Sequence, residues 1–312
     1  MDINIFTRLF LYLIVLLFSS CVRDFNDDCP AEATFILMFE YRDRAGNDIF
    51  DERVQRVDVF VYSSDNLLVH RQTIDRTQLT EFAGTELHHL CPGRHRVVVW
   101  GNAINKHTFN GVHLGSSISD ARLSHTSTAT NGEPLLYAPA TRMGAQAAEF
   151  IIAVSGTETR TAVIPFSRAH KRIEVFVAGF ENRTETLGEL PIIKIEGVSA
   201  HYDFDRRTSN NRLAFQNNTV WQTIGNHRVA FVGFYTPLFE ESNPKVIHVK
   251  SANNSIVYTV NLQDFLVNNT GIVFHDTDIP DMTIPVLITF NKDLSVDITI
   301  PTWDENVVRP IY

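Results

Sequence analysis

Three thiols, a pair of alternating carboxylates and twelve histidines are the groups with which this sequence of 312 residues could do chemistry. A thiol can carry an acyl chain, close a disulfide, hold a metal or attack a substrate, and its surroundings decide which. Cys21 follows an apolar run and two serines, Cys29 sits in the acidic stretch "DDCP", and Cys91 precedes a Pro-Gly turn. No G-x-S-x-G elbow, glycine-rich phosphate loop or reactive-cysteine context occurs. In "HYDFDRR", Asp203 and Asp205 would share one strand face, as acid–base catalysis or a cation site requires, but Arg206 and Arg207 beside them favour plain ion pairing. The histidines show no H-E-x-x-H or other ligand spacing, and adjacent His88 and His89 would point to opposite faces of a strand. The residues thus announce no catalytic centre, no metal site and no cofactor beyond covalent lipid, and the chain is expected not to be an enzyme.

The lipid expectation rests on the N-terminus. From Leu9 to Phe18 every residue is apolar, after a start whose only base is Arg8. As helix this run spans about 15 Å, half of a hydrocarbon core of about 30 Å, so it reads as an export signal over 1–20 rather than a membrane span. Small residues ending in cysteine resemble the bacterial lipobox, in which the thiol is acylated and the upstream peptide removed, leaving Cys21 first. Phe18 stands where leucine is usual, and Asp2 opposes Arg8. An ordinary signal cut near Ser20 is the alternative, leaving Cys21 a free thiol in an oxidising compartment. Each buried methylene contributes about 0.8 kcal/mol, so the two or three chains of a lipoprotein cysteine would make a lasting anchor.

A net charge of −9 argues against a nucleic-acid partner, which needs a basic face. Export permits disulfides, and with Cys21 committed to lipid, Cys29 and Cys91 are left for each other. Their bond would close a loop of about 60 residues and constrain the unfolded chain by roughly 4 kcal/mol. Two unrelated buried thiols are the alternative.

Period-two patterning dominates the rest. Leu37, Phe39 and Tyr41 would share one face, as would Val57, Val59 and Val61, with Asp58, Phe60 and Tyr62 opposite, and Ile173, Val175 and Val177 further on. Turns at 64–66, 92–93, 253–254 and 291–293 punctuate them, the last two inside hairpins, and Pro301 should fall at a strand end. Residues 103–150, richer in Ser, Thr, Ala, Gly and His, are expected to hold long loops and one short helix. The expected organisation is an acidic tether at 21–28 and two antiparallel β-sandwiches over 29–156 and 157–312. Four N-x-[ST] sequons, at Asn182, Asn217, Asn253 and Asn268, read as Asn-rich turns behind a bacterial signal.

Taken in order, Cys21 with "DDCP", the "F-x-Y" strand at 39–41, "VQRVDVFVYSSDN" at 54–66, "LCPGRHRVVVWGN" at 90–102, "FSRAHKRIEVFV" at 166–177 and "VDITIPTW" at 296–303 resemble the Bacteroidales fimbrial anchor lipoproteins of the FimB type. The resemblance implies an all-β fold of two tandem transthyretin-like sandwiches. It implies a lipoprotein at the base of a fimbrium that holds the shaft subunit to the outer membrane, helps to limit fimbrial length and joins the shaft by β-strand complementation. Asp24, Asp27 and Asp28 would help direct it to the cell surface. Polymerising relatives are cut after an arginine, which makes Arg42 and Arg44 in "YRDRAGND" the candidates for a protease-sensitive loop, against a reading as plain turn charge. No small-molecule substrate is implied. Two other roles stay open. One is a surface lipoprotein binding glycan or host ligand, for which Trp221 and Tyr235 are candidate platform aromatics, both in strand-like, core-type context. The other is a shaft or tip fimbrillin.

Overall fold

Alternating apolar segments become strands throughout the computed structural model, which describes residues 33–43, 45–79, 84–91, 93–104, 107–125, 137–139, 150–154, 159–183, 188–224, 227–237, 245–268 and 283–301. In chain order the strands are β1 (Ala33–Glu40), β2 (Arg56–Tyr62), β3 (Leu68–Asp75), β4 (Gly84–Leu90), β5 (Gly93–Gly101), β6 (His107–Asn110), β7 (Arg122–His125), β8 (Tyr137–Pro139), β9 (Phe150–Val154) and β10 (Thr159–Arg168). They continue as β11 (His170–Ala178), β12 (Ile192–Ser199), β13 (His201–Asp203), β14 (Arg212–Asn218), β15 (Val220–Ile224), β16 (His227–Pro237), β17 (Val246–Lys250), β18 (Ile256–Asn261), β19 (Thr283–Phe290) and β20 (Val296–Thr299). The longest helix among the described residues, Leu262–Asn268, has seven residues. The protein is all-β and sandwich-like.

The first sheet runs β3-β2-β5-β8-β10-β1-β4, with β9 also on β5. β1 lies inside it, parallel to β10 and antiparallel to β4. Its predicted inward row is buried: Leu37 is 0% exposed, and Phe35, Phe39 and Tyr41 are close to that. Val57, Val59 and Val61 of β2, Val97 and Val99 of β5, and Ile164 and Phe166 of β10 pack on the same core. Ile74 of β3 and Leu87 of β4 also reach it, and the Gln72 amide donates to the Thr85 hydroxyl at 3.1 Å, so the sheet curls until its two outer strands face each other. The turn before β2 is held by Asn102, fully buried, whose Oδ1 accepts from the Gln55 N–H at 2.7 Å while its Nδ2 donates to the Arg53 carbonyl at 2.9 Å. Its φ of 58° is one that asparagine tolerates better than most residues.

The strand Thr159–Arg168, assigned from sequence to the second unit beginning at 157, pairs along its length with β1, and the chain crosses to the next sheet only between Arg168 and His170. "TAVIPF" has the period of a strand, but its partner is set by a strand more than a hundred residues earlier, which no local pattern encodes. Within 103–150, expected as long loops with one short helix, the described residues include β6, β7 and β8, strands short enough for period two to be hard to see.

The later strands form two sheets, β15-β16-β11-β19-β20 and β14-β12-β17-β18, facing each other across one core. Ile173, Val175 and Val177 enter it as predicted, with Ile284, Val286 and Ile288 beside them and Ile193, Ile195, Ile247 and Val249 opposite. Both predicted hairpins form, joining β17 to β18 and β19 to β20, and β20 ends before Pro301.

Candidate functional site

The resemblance to fimbrial anchors implies an end held to the membrane, a body that transmits load and a surface for the next subunit. Cys21, expected to carry lipid, and Cys29 with the acidic tether lie outside the described residues, as does Arg44. Cys91 directly follows β4, half-buried, and its carbonyl accepts from His95 Nε2 at 2.7 Å. Arg42 is exposed, and its guanidinium is tied to Glu40 at 2.9 Å and to the Gly46 carbonyl at 3.2 Å, the Glu40 carboxylate raising its already high pKa. The turn beneath it is closed by Asp48 Oδ1, which accepts from the N–H groups of Tyr41 and Phe50, and by Asp43, held below the usual carboxylate range by Asn47.

The two halves of the chain interlock at β13, which leaves the second half to pair with β7 of the first. Asp203 ends the strand, because its Oδ1 accepts from the N–H groups of Asp205 at 2.9 Å and Arg207 at 2.8 Å and so turns the backbone. The turn aims Phe204 inward, 3% exposed, at Phe60 with ring centroids 4.9 Å apart, and at Tyr62, Phe109 and Trp100 within 6.3 Å. Tyr202 packs on Trp100, and its hydroxyl donates to the Ala169 carbonyl. Asp205 pairs with Arg96 of β5 and more distantly with Arg207. Asp203 and Asp205 therefore do not share a strand face for catalysis or a cation: one shapes a turn and the other pairs across the junction. Phe60, Tyr62, Val98 and Trp100 occupy the faces opposite the first core, so β2 and β5 are buried on both sides.

The surface for a partner is sought among the outer strands. β20 borders no further strand among the described residues. Its Val296 and Ile298, with Ile300 beyond it, are only half-buried against the large core, while Asp297 and Thr299 face out. The preceding turn is braced by Asn291, whose Nδ2 donates to Ser295 Oγ at 2.9 Å and Asp297 Oδ2 at 2.7 Å. At the opposite edge, Trp221 of β15 is covered by the Arg228 guanidinium 4.2 Å from its ring centroid, and Tyr235 is buried, so these two aromatics form no open platform.

Sequence spacing gave no metal ligands, yet the fold brings His107, His125 and His170 together with ligand atoms all within 4.8 Å of one another. His107 and His125 face each other across the β6–β7 pair and His170 comes from β11, and no ligand-spacing rule detects such a set.

A family profile described as "Fimbrillin-A associated anchor proteins Mfa1 and Mfa2" matches residues 26–308. The chain belongs to this fimbrial anchor family. Membership agrees with the resemblance read from the sequence and makes this a fimbria-associated protein of the cell envelope from a structural family. No curated protein sequence matches it. The anchor-family fold is shared with the fimbrial anchor protein Mfa2 from Porphyromonas gingivalis, at 13% identity over 86% of this chain and 95% of that one, TM-score 0.64. A candidate polysaccharide-binding protein from Bacteroides thetaiotaomicron aligns at 16% identity over 87% and 96% of the chains, TM-score 0.66. A candidate adhesin from Bacteroides ovatus gives 16% over 90% and 96%, TM-score 0.63. At such identities these likenesses establish the fold alone.

Proposed function

We propose that this protein is an outer-membrane lipoprotein that anchors a fimbrium, held by acyl chains on Cys21 and joined to the shaft subunit by β-strand complementation, and that it helps to limit fimbrial length. The observation that carries this reading is the anchor-family match over residues 26–308. β1 supports it: its inward row is core and it is paired on both sides, so this chain is built to keep the segment next to its lipid. A Cys29–Cys91 bond would reinforce that attachment; Cys91 is engaged in a disulfide, and Cys29 is the partner we assign. The shaft strand is assigned to the outer side of β20, where an added strand would cover the half-buried row of Val296, Ile298 and Ile300 and satisfy the edge backbone. The first sheet is a poorer acceptor, since its outer strands face each other.

The test counts fimbriae by electron microscopy, on cells and in culture supernatant, for cells carrying Cys21→Ala or Ile298→Lys. Cys21→Ala should shed fimbriae or leave them long and detached, while exported, folded protein persists. Ile298→Lys should leave the protein on the membrane but without attached shafts. Unchanged cell-attached fimbriae in the first strain would sink the anchor reading; unchanged attachment in the second alone would move the shaft contact to another edge.

A further inference from the structure

We propose that His107, His125 and His170 form a binding site for a divalent transition ion of the zinc class. His107 opens β6, His125 ends β7 and His170 opens β11, so the site lies where the first half of the chain hands over to the second. The three rings are mutual neighbours, with centroids 5.0, 5.6 and 5.9 Å apart. A tetrahedral zinc with nitrogens at about 2.0–2.1 Å needs ligand atoms about 3.3 Å from one another, so binding would draw together a set whose atoms now lie within 4.8 Å of one another.

The ring atoms support the assignment individually. His107 Nδ1 lies 3.0 Å from the Ile104 carbonyl, to which it can only donate, and this tautomer puts the basic nitrogen of the ring at Nε2. His125 is 6% exposed, and its Nε2 is buried without a hydrogen-bond partner among the described residues. A buried polar nitrogen without a partner is costly, and coordination to an ion would satisfy it.

His107 is only half-buried, so a water or hydroxide can supply the fourth ligand from the solvent side. Arg168 raises the local positive charge beside His170, which favours an anionic fourth ligand. Three imidazoles with an open position suit zinc, copper and nickel rather than calcium or magnesium, which prefer oxygen. Bound there, the ion would staple β6, β7 and the start of β11, stiffening the junction that Tyr202 and Phe204 already interlock. The assignment does not depend on the anchor reading.

The test uses the full mature protein, stripped with a chelator and titrated with Zn²⁺ in a calorimeter and with Co²⁺ in a visible spectrometer. One equivalent should bind, Co²⁺ should show visible bands of a low-coordinate nitrogen site, and Zn²⁺ should raise the thermal midpoint. His107→Ala, at a half-buried position, should keep the far-ultraviolet spectrum of the wild type while weakening Zn²⁺ by about tenfold or more and removing the cobalt bands. His125→Gln should do the same. Absence of stoichiometric binding to the stripped wild type would overturn the site. So would binding that persists undiminished in both variants, since the ion would then sit elsewhere.

Discussion

Phe204→Ala should destabilise the protein by about 3–5 kcal/mol and split one unfolding transition into two, the range expected when a buried aromatic is truncated in a site that cannot collapse. Phe204 sits on a turn that leaves the second half of the chain and ends among Phe60, Tyr62, Phe109 and Trp100 of the first. Neighbours on β2 and β5 are fixed by strand pairing and cannot move in to fill the space. The backbone pairing of β13 with β7 covers few residues, so the ring carries much of the coupling. Urea unfolding followed both by tryptophan fluorescence, with Trp100 at the junction, and by far-ultraviolet circular dichroism should show coincident curves in the wild type and separated ones in the variant. A loss below about 1 kcal/mol with coincident curves would show that the junction is held by strand pairing instead. On the anchor reading, the same variant should shorten the survival of attached fimbriae under shear, because force from the shaft passes through this junction to reach the lipid.

Lys245→Met should stabilise the protein near neutral pH, by an amount that fades as pH rises. Lys245 is 1% exposed, its Nζ donates to the Gly197 carbonyl at 3.2 Å, and burial followed by the nearby Arg212 charge lowers its pKa from 10.5 to about 7. In the unfolded chain the amine holds its proton up to about pH 10.4. Between the folded and unfolded values the unfolded state binds more protons, so this residue makes stability rise with pH across that window. Below about pH 7 both states are charged and the full desolvation penalty, on the order of a few kcal/mol, is present. Methionine has a similar length and no charge to desolvate. Denaturant titrations at about pH 6 and about pH 10 should show the variant more stable by roughly 1–4 kcal/mol at the first and nearly equal at the second. A variant less stable than wild type at about pH 6 would mean that the contacts of the ammonium outweigh its burial.

What could be read from sequence was whatever depends on neighbours within a few residues. Alternation in "TFILMFEY" and "KRIEVFVAGF" placed Leu37, Phe39, Ile173 and Val175 in cores, because side chains of a strand switch faces at each step whichever sheet the strand joins. Turn chemistry placed the hairpins at Asn253-Asn254 and Asn291-Lys292-Asp293 for the same local reason. The family, too, was legible, from the order of these segments. Pairing was not. The strand Thr159–Arg168 joined β1 rather than the sheet that follows it, and the face of "VDVFVY" opposite the valines was buried because a turn from beyond residue 200 covers Phe60 and Tyr62. Asp205 found Arg96 on another strand in addition to its neighbour Arg207, and three histidines without ligand spacing met at one point. Periodicity records which way each side chain points, whereas tertiary structure decides what it points at, and that choice rests on contacts between segments that the chain's local patterns leave unspecified.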